Sequence, residues 1–369
     1  MIPLPAASDA AAAHRVYASS TALELPRRPA GPRRLVFSGE HLVRVDAKGV
    51  ELLDVQPLRQ LKRMPLSGGR FGLTLSDGAF LGVGEAQLLR IPDPSNPRAK
   101  DEVAEYTPRV SLFPGSQIFA DRREARSVWV QHPFDTSIYE YAIQPGAGVL
   151  LPMQQVVELE GYDQGAFTGL ADGSFVFSSG RELRQLFPGG KSKALGSLGF
   201  EGKLWRILPT RRIDRAWLIP DSGEVQLVEL AGGRLRVVEE LPAVAPKAGP
   251  STPKVFDAIS SSKYFARLLV EATPTGRSWR LVVNELDGKS VLDQTLPRDP
   301  RDDGKAYDDW VELATRNFDL VISDKPALVG VGGPDRVVLW SLPSGARQQL
   351  LTPPGASTGA EAMPAPSAE

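Results

Sequence analysis

A chain of 369 residues with 43 basic and 44 acidic side chains has almost no net charge, so no overall field draws it to nucleic acid or to an anionic membrane. It contains no cysteine, which excludes disulfides, thiolate catalysis and thiolate zinc sites. The 42% hydrophobic content suits a large core, and the 35 glycines and 32 prolines are spread along the chain, as many short strands joined by many turns require.

Residues 1–30 are rich in alanine and proline and read as a flexible arm. The first ten residues have neither a basic start nor an apolar stretch and do not read as a signal peptide. No apolar run approaches the roughly 18 residues that cross a bilayer, so the expectation is a soluble cytoplasmic protein with no membrane insertion. Within the arm, Thr21-Ala-Leu-Glu-Leu25 is a candidate strand for closing a ring. Arg27, Arg28, Arg33 and Arg34 flank Pro29-Ala-Gly-Pro32. Such a cluster suits either an acidic partner or phosphates, or simple solubilisation of the arm.

From residue 31 to 352 one unit recurs: strand, loop, strand, tight turn, strand, loop, strand. The first copy runs through Leu35-Val-Phe, His41-Leu-Val-Arg-Val, Gly49-Val-Glu-Leu-Leu-Asp-Val and Gln60-Leu-Lys-Arg-Met-Pro. The second holds Phe71-Gly-Leu-Thr-Leu, Ala79-Phe-Leu-Gly-Val, Gln87-Leu-Leu-Arg-Ile and Glu102-Val-Ala-Glu-Tyr. The third is centred on Ser127-Val-Trp-Val and Ser137-Ile-Tyr-Glu-Tyr, the fourth on Ser174-Phe-Val-Phe and Glu182-Leu-Arg-Gln-Leu. The fifth, starting at Leu204-Trp-Arg-Ile-Leu, is the clearest; the sixth starts at Val255-Phe-Asp-Ala-Ile and the seventh at Leu320-Val-Ile. Turn pairs such as Asp77-Gly78, Asp172-Gly173 and Asp287-Gly288 separate apolar stretches of strand length. Four strands per unit and a spacing of about 35 to 60 residues predict an all-β chain, a single propeller of seven four-stranded antiparallel blades. The second strand of several units is the most apolar, as a strand with sheet on both faces must be.

Two stretches resemble known repeat families. Val337-Val-Leu-Trp340-Ser-Leu-Pro-Ser344-Gly345 is similar to the third strand and turn of a WD-type repeat, with Ser341 where that repeat has aspartate. Gln87-Leu-Leu-Arg-Ile-Pro-Asp-Pro-Ser-Asn-Pro97 resembles the bacterial propeller repeat built on a Leu-Val-Ile-Val-Asp-like strand. Both resemblances imply a propeller.

Three stretches depart from the repeat. Ala243–Pro253 reads as a long inter-blade loop. Residues 297–316 interrupt the passage from the sixth unit to the seventh, with a short amphipathic spacing near Tyr307–Thr315. Residues 353–369 have a composition that cannot fold alone and read as a disordered tail. Deleting them is expected to leave the melting temperature unchanged; a loss of several degrees in a thermal scan would mean that the tail docks on the ring.

The candidate chemistry is sparse. Gly355-Ala-Ser-Thr-Gly359 matches a nucleophile elbow but lies in the tail rather than between strand and helix. Gly190-Lys-Ser192 and Gly288-Lys-Ser290 lack the leading glycine of a phosphate loop and read as hairpin turns. His14, His41 and His132 have no metal-ligand spacing. Five tryptophans, 129, 205, 217, 279 and 340, fall in strands and read as core between blades. Trp310 and Tyr307 differ: with Asp302, Asp303, Asp308 and Asp309 around them they suit an interface anchor with a polar rim, and the acids near Gly304 are also the best cation candidates. With no metal cluster, nucleophile set or cofactor fingerprint, the expectation is a scaffold or adaptor that binds another protein and carries no cofactor, its oligomeric state left open. The alternative is a propeller hydrolase or lyase, metal-dependent and lactonase-like or else glycan-active, using channel carboxylates drawn from Asp46, Asp77, Asp172 and Asp214.

Overall fold

The computed structural model describes most residues from 33 to 351. Residues 1–32, 97–101, 106–116, 121–126, 132–135, 143–153, 160–165, 248–251, 297–318 and 352–369, with scattered turn positions, lie outside the description. The arm with Thr21–Leu25, Arg27 and Arg28, the segment with Tyr307 and Trp310, and the tail fall there.

The described residues form seven four-stranded antiparallel sheets, each built from consecutive strands. Blade one is β1 (Leu35–Ser38), β2 (His41–Asp46), β3 (Gly49–Val55) and β4 (Leu58–Pro65). Blade two is β5 (Phe71–Thr74), β6 (Phe80–Val83), β7 (Gln87–Ile91) and β8 (Glu102–Glu105). Blade three is β9 (Gln117–Ala120), β10 (Ser127–Gln131), β11 (Ser137–Ala142) and β12 (Gln154–Glu158). Blade four is β13 (Phe167–Gly169), β14 (Phe175–Ser179), β15 (Glu182–Leu186) and β16 (Lys193–Ser197). Blade five is β17 (Leu204–Pro209), β18 (Arg215–Pro220), β19 (Val225–Glu229) and β20 (Arg236–Leu241). Blade six is β21 (Lys254–Ser260), β22 (Tyr264–Thr273), β23 (Gly276–Glu285) and β24 (Ser290–Thr295). Blade seven is β25 (Asp319–Asp324), β26 (Ala327–Gly332), β27 (Arg336–Ser341) and β28 (Arg347–Leu351). The only helical turn described is Ala231–Gly233. This is the seven-bladed β-propeller that the repeat predicts.

Local chemistry explains the hairpins. Asp77 and Asp172 each accept a hydrogen bond at 2.9 Å from the backbone N–H two residues on, Ala79 and Ser174, and a glycine with φ near +85° sits between. Asp supplies the local acceptor and Gly the left-handed conformation, so the chain reverses without strain. Alternation along each strand then gives every blade two apolar faces. Seven apolar clusters result, one per seam. That between blades three and four holds Trp129, Ile138, Phe167 and Phe175; that between five and six holds Trp217, Val225, Phe265 and Val282. Trp129 fits because Gly169 faces it: a Cβ there would lie 2.6 Å from the indole. The second strands are buried on both faces, completely so in β6 and β10, as their composition implies.

The first strands of the blades line the axis, and among the described residues blade seven and blade one meet as two separate four-stranded sheets. At the inner wall the Asp319 carboxylate accepts the backbone N–H groups of Arg34 and Leu35, the latter at 2.8 Å. Leu35, Leu42, Leu53, Val321, Val337 and Leu339 fill the middle of the seam. At the rim the Leu58 N–H donates to Gln348 Oε1 at 3.0 Å. Five of the seven outermost strand pairs carry an irregular register, which interrupts the exposed edge. Bulged edges resist pairing with other chains.

Candidate functional site

The densest buried charge at the inner wall centres on Asp257, which is completely buried. Two inner strands share a device that brings it into contact. In β17 the pairing with β18 slips between Leu204 and Arg206; in β21 the pairing with β22 slips between Val255 and Asp257. Each slip bulges an aromatic residue, Trp205 or Phe256, and re-aims the charged residue after it. Arg206 then pairs with Asp257 and also donates to the Ala258 carbonyl at 3.3 Å. The Arg206 guanidinium lies 5.3 Å from the Trp205 ring centre.

Arg33, just ahead of β1, completes the group. Its guanidinium grips Asp257 with both arms, at 2.8 and 3.0 Å, and donates to the Leu320 carbonyl at 2.8 Å. Its own carbonyl accepts the Gly72 N–H at 2.7 Å. Arg33 therefore ties blades one, two, six and seven, and Asp257 adds blade five through Arg206. Burial pulls the Arg33 pKa down, but the charge and hydrogen bonds of Asp257 outweigh it, so the net shift is upward and the residue stays cationic.

Of the predicted basic cluster, then, Arg33 is engaged inside the ring, and the Arg34 side chain donates to the Arg70 carbonyl at 3.2 Å. Arg27, Arg28, Tyr307, Trp310, Asp302, Asp303, Asp308 and Asp309 lie outside the described residues. The candidate channel acids do not converge. Asp46 pairs with Arg63, Asp77 with Arg90 and Asp214 with Arg212, while Asp172 binds Ser174, each within its own blade. Among the described residues no group of three or more His, Asp or Glu could hold a metal ion. His41 opens β2, partly buried, and His132 is not described. Trp129, Trp217, Trp279 and Trp340 are buried in seams; Trp205 is half-buried. No described helix is long and apolar enough to cross a membrane.

The Asp257 group went unseen in the sequence. Its signal is an aromatic–charge pair inside two consecutive inner strands, Trp205-Arg206 and Phe256-Asp257, where an apolar residue is the default.

A second charged network lies at the outer part of blade six, on the face toward blade five. Arg280 grips Asp293 at 2.6 and 2.7 Å and donates to Glu271 at 3.0 Å; Lys247 reaches Asp293 at 2.8 Å. The hydrogen bond from Arg280 holds the Asp293 pKa below its usual range. The first part of the Ala243–Pro253 connection, residues 243–247, runs over this network: Arg280 donates to the Ala245 carbonyl at 2.7 Å, and the Lys247 N–H to Glu271 at 3.3 Å.

No protein-family model matches the chain, and no curated protein matches it in sequence. Solved structures do match in shape. The β-propeller domain of Cps50 (Swd1) from Myceliophthora thermophila aligns with a TM-score of 0.54 at 10% identity, over 85% of this chain and 96% of that one. Hsv2 from Kluyveromyces lactis, with its loop 6CD replaced by a Gly-Ser linker, gives 0.50 at 11% identity, over 89% and 98%. A candidate 6-phosphogluconolactonase from Bacteroides uniformis gives 0.50 at 13% identity, over 87% and 95%. At such identities the likeness concerns architecture alone: this chain has the seven-bladed β-propeller fold.

Proposed function

We propose that the chain is a non-catalytic propeller acting as a protein–protein interaction scaffold. The observation that carries this reading is the commitment of Asp257. An inner-wall carboxylate is what a channel enzyme needs for acid–base or metal work, and here it is spent on Arg33 and Arg206. Asp319 is likewise engaged by backbone N–H groups. Recognition then falls to the connections at the two ends of a rigid ring.

We assign the partner to the connection between blades six and seven, with Tyr307 and Trp310 as anchors and Asp302, Asp303, Asp308 and Asp309 as the rim. Aromatic area supplies affinity, and charge supplies register. Arg27, Arg28 and Arg34 offer a basic contact to an acidic part of the same partner. The test is Trp310→Ala in an affinity capture from native lysate, alongside a thermal scan. The expected result is unchanged stability with loss of a protein that the unmodified chain retains. A loss of about 3–5 kcal/mol, as for truncating a buried aromatic, would make Trp310 core and remove this assignment. Turnover of a lactone or glycan by a chain that retains no protein would replace the scaffold reading with the enzyme one.

A further inference from the structure

Arg267 is the one cation in the second network whose described partners are all neutral. It lies on β22, 2% exposed. One terminal nitrogen donates to the Pro242 carbonyl and the other to Asn284 Oδ1, both at 3.0 Å. Its Nε is buried without an acceptor among the described residues. The nearby carboxylates are directed elsewhere: Asp293 to Arg280 and Lys247, Glu271 to Arg280 and the Lys247 backbone. Burial and the neighbouring Arg280 charge push the Arg267 pKa down to about 10, so it is still cationic at neutral pH. An ordered water would satisfy the Nε hydrogen but not the charge, and an uncompensated buried charge is strongly unfavourable.

A second donor lies in the same seam. Trp217 on β18 is completely buried, and its indole N–H has no acceptor among the described residues. Its ring centre is 4.6 Å from that of Phe265, which precedes Arg267 by two positions and so shares its face of β22. Native interiors leave few such donors unmatched. Over the outer part of the seam lies the Pro242–Lys247 stretch, largely exposed and without regular structure, tied down through Pro242, Ala245 and Lys247.

We propose that the seam between blades five and six is a binding site for a small monovalent anion, a halide or a carboxylate, held at the Nε edge of Arg267 beside the Trp217 indole and covered by the 242–247 stretch. The ligand balances the one charge that the network leaves uncompensated.

The full chain, dialysed into sodium isethionate, a bulky sulfonate, is titrated with sodium chloride, bromide or formate at constant ionic strength. The melting temperature is expected to rise saturably by about 2 °C or more. A rise with the halides alone, or with formate alone, decides between the two ligand types. Arg267→Gln is expected to abolish the response and Arg267→Lys to weaken it. Should Arg267→Gln not fold, crystals of the unmodified chain soaked in bromide are expected to show anomalous scattering within hydrogen-bond distance of Arg267 Nε. Indifference of the unmodified chain to the anion, an unaltered response in Arg267→Gln, or no bromide at the seam would overturn the proposal. In that event Arg267 is a hydrated structural cation.

Discussion

Asp257→Ala is expected to destabilise the ring by about 3–5 kcal/mol, the range for removing one partner from a buried ion pair. The reason is what remains. Arg206 is 3% exposed, and Arg33 has Asp257 as its carboxylate partner. Without that carboxylate two guanidinium groups share a desolvated wall without the charge that both of them bind, Arg33 keeping the Leu320 carbonyl and Arg206 the Ala258 carbonyl. Asp257→Asn keeps the shape and one acceptor but not the charge, so it should fall in the same direction by a smaller amount. Arg59→Ala is the control: Arg59 is 63% exposed and meets Asp54 at 3.4 Å, which corresponds to about 0–1 kcal/mol. Urea denaturation of the three variants checks the order. If Asp257→Ala unfolds no more easily than Arg59→Ala, the group does not hold the inner wall together.

Trp129→Ala should cost a similar amount, about 3–5 kcal/mol, through packing instead of charge. The side chain is 1% exposed, and its ring centre is 4.7 Å from that of Phe175 in the next blade. Truncation opens a cavity along a seam whose strands are fixed by their own hydrogen bonds and cannot collapse into it. The converse change, Gly169→Ala, drives a methyl into the same indole and should cost about 1–3 kcal/mol by overpacking. Denaturation midpoints at constant slope measure both. A Trp129→Ala loss under about 1 kcal/mol would show that the seam between blades three and four is not carried by this residue.

Much of the fold was legible because its signals are local. Asp-Gly turns act over four residues, and strands such as β18 announce themselves by an unbroken apolar run. The strands that sequence reading did not name are β9, β12, β13 and β16. β13 is only three residues long, and β16, Lys193-Ala-Leu-Gly-Ser197, is an outer strand with a broken register and one buried side chain. Neither carries a period long enough to stand out. The buried charge groups were illegible for a different reason. Arg33 meets Asp257 across 224 positions and Arg206 meets it across 51, so nothing in a window of strand length relates them. What the sequence does hold is the anomaly, a charge after an aromatic residue within an inner strand. The tryptophans read as core because aromatic residues in apolar strands need no distant partner to be interpreted.

Every blade is a contiguous stretch of chain, and this bears on how the molecule forms. Pairings within a blade join residues close in sequence, which keeps contact order low for an all-β protein and lets each sheet assemble as its own segment leaves the ribosome. Each new blade then finds its predecessor already folded and covers that blade's exposed apolar face. One encounter cannot be local: the carboxylate of Asp319 must find the amides of Arg34 and Leu35, 285 and 284 positions away. Until it does, blades one and seven each present an unmatched face. The late, slow event in the biogenesis of this ring is therefore the meeting of its two ends, and the interval before it is when a nascent chain most needs protection from its neighbours.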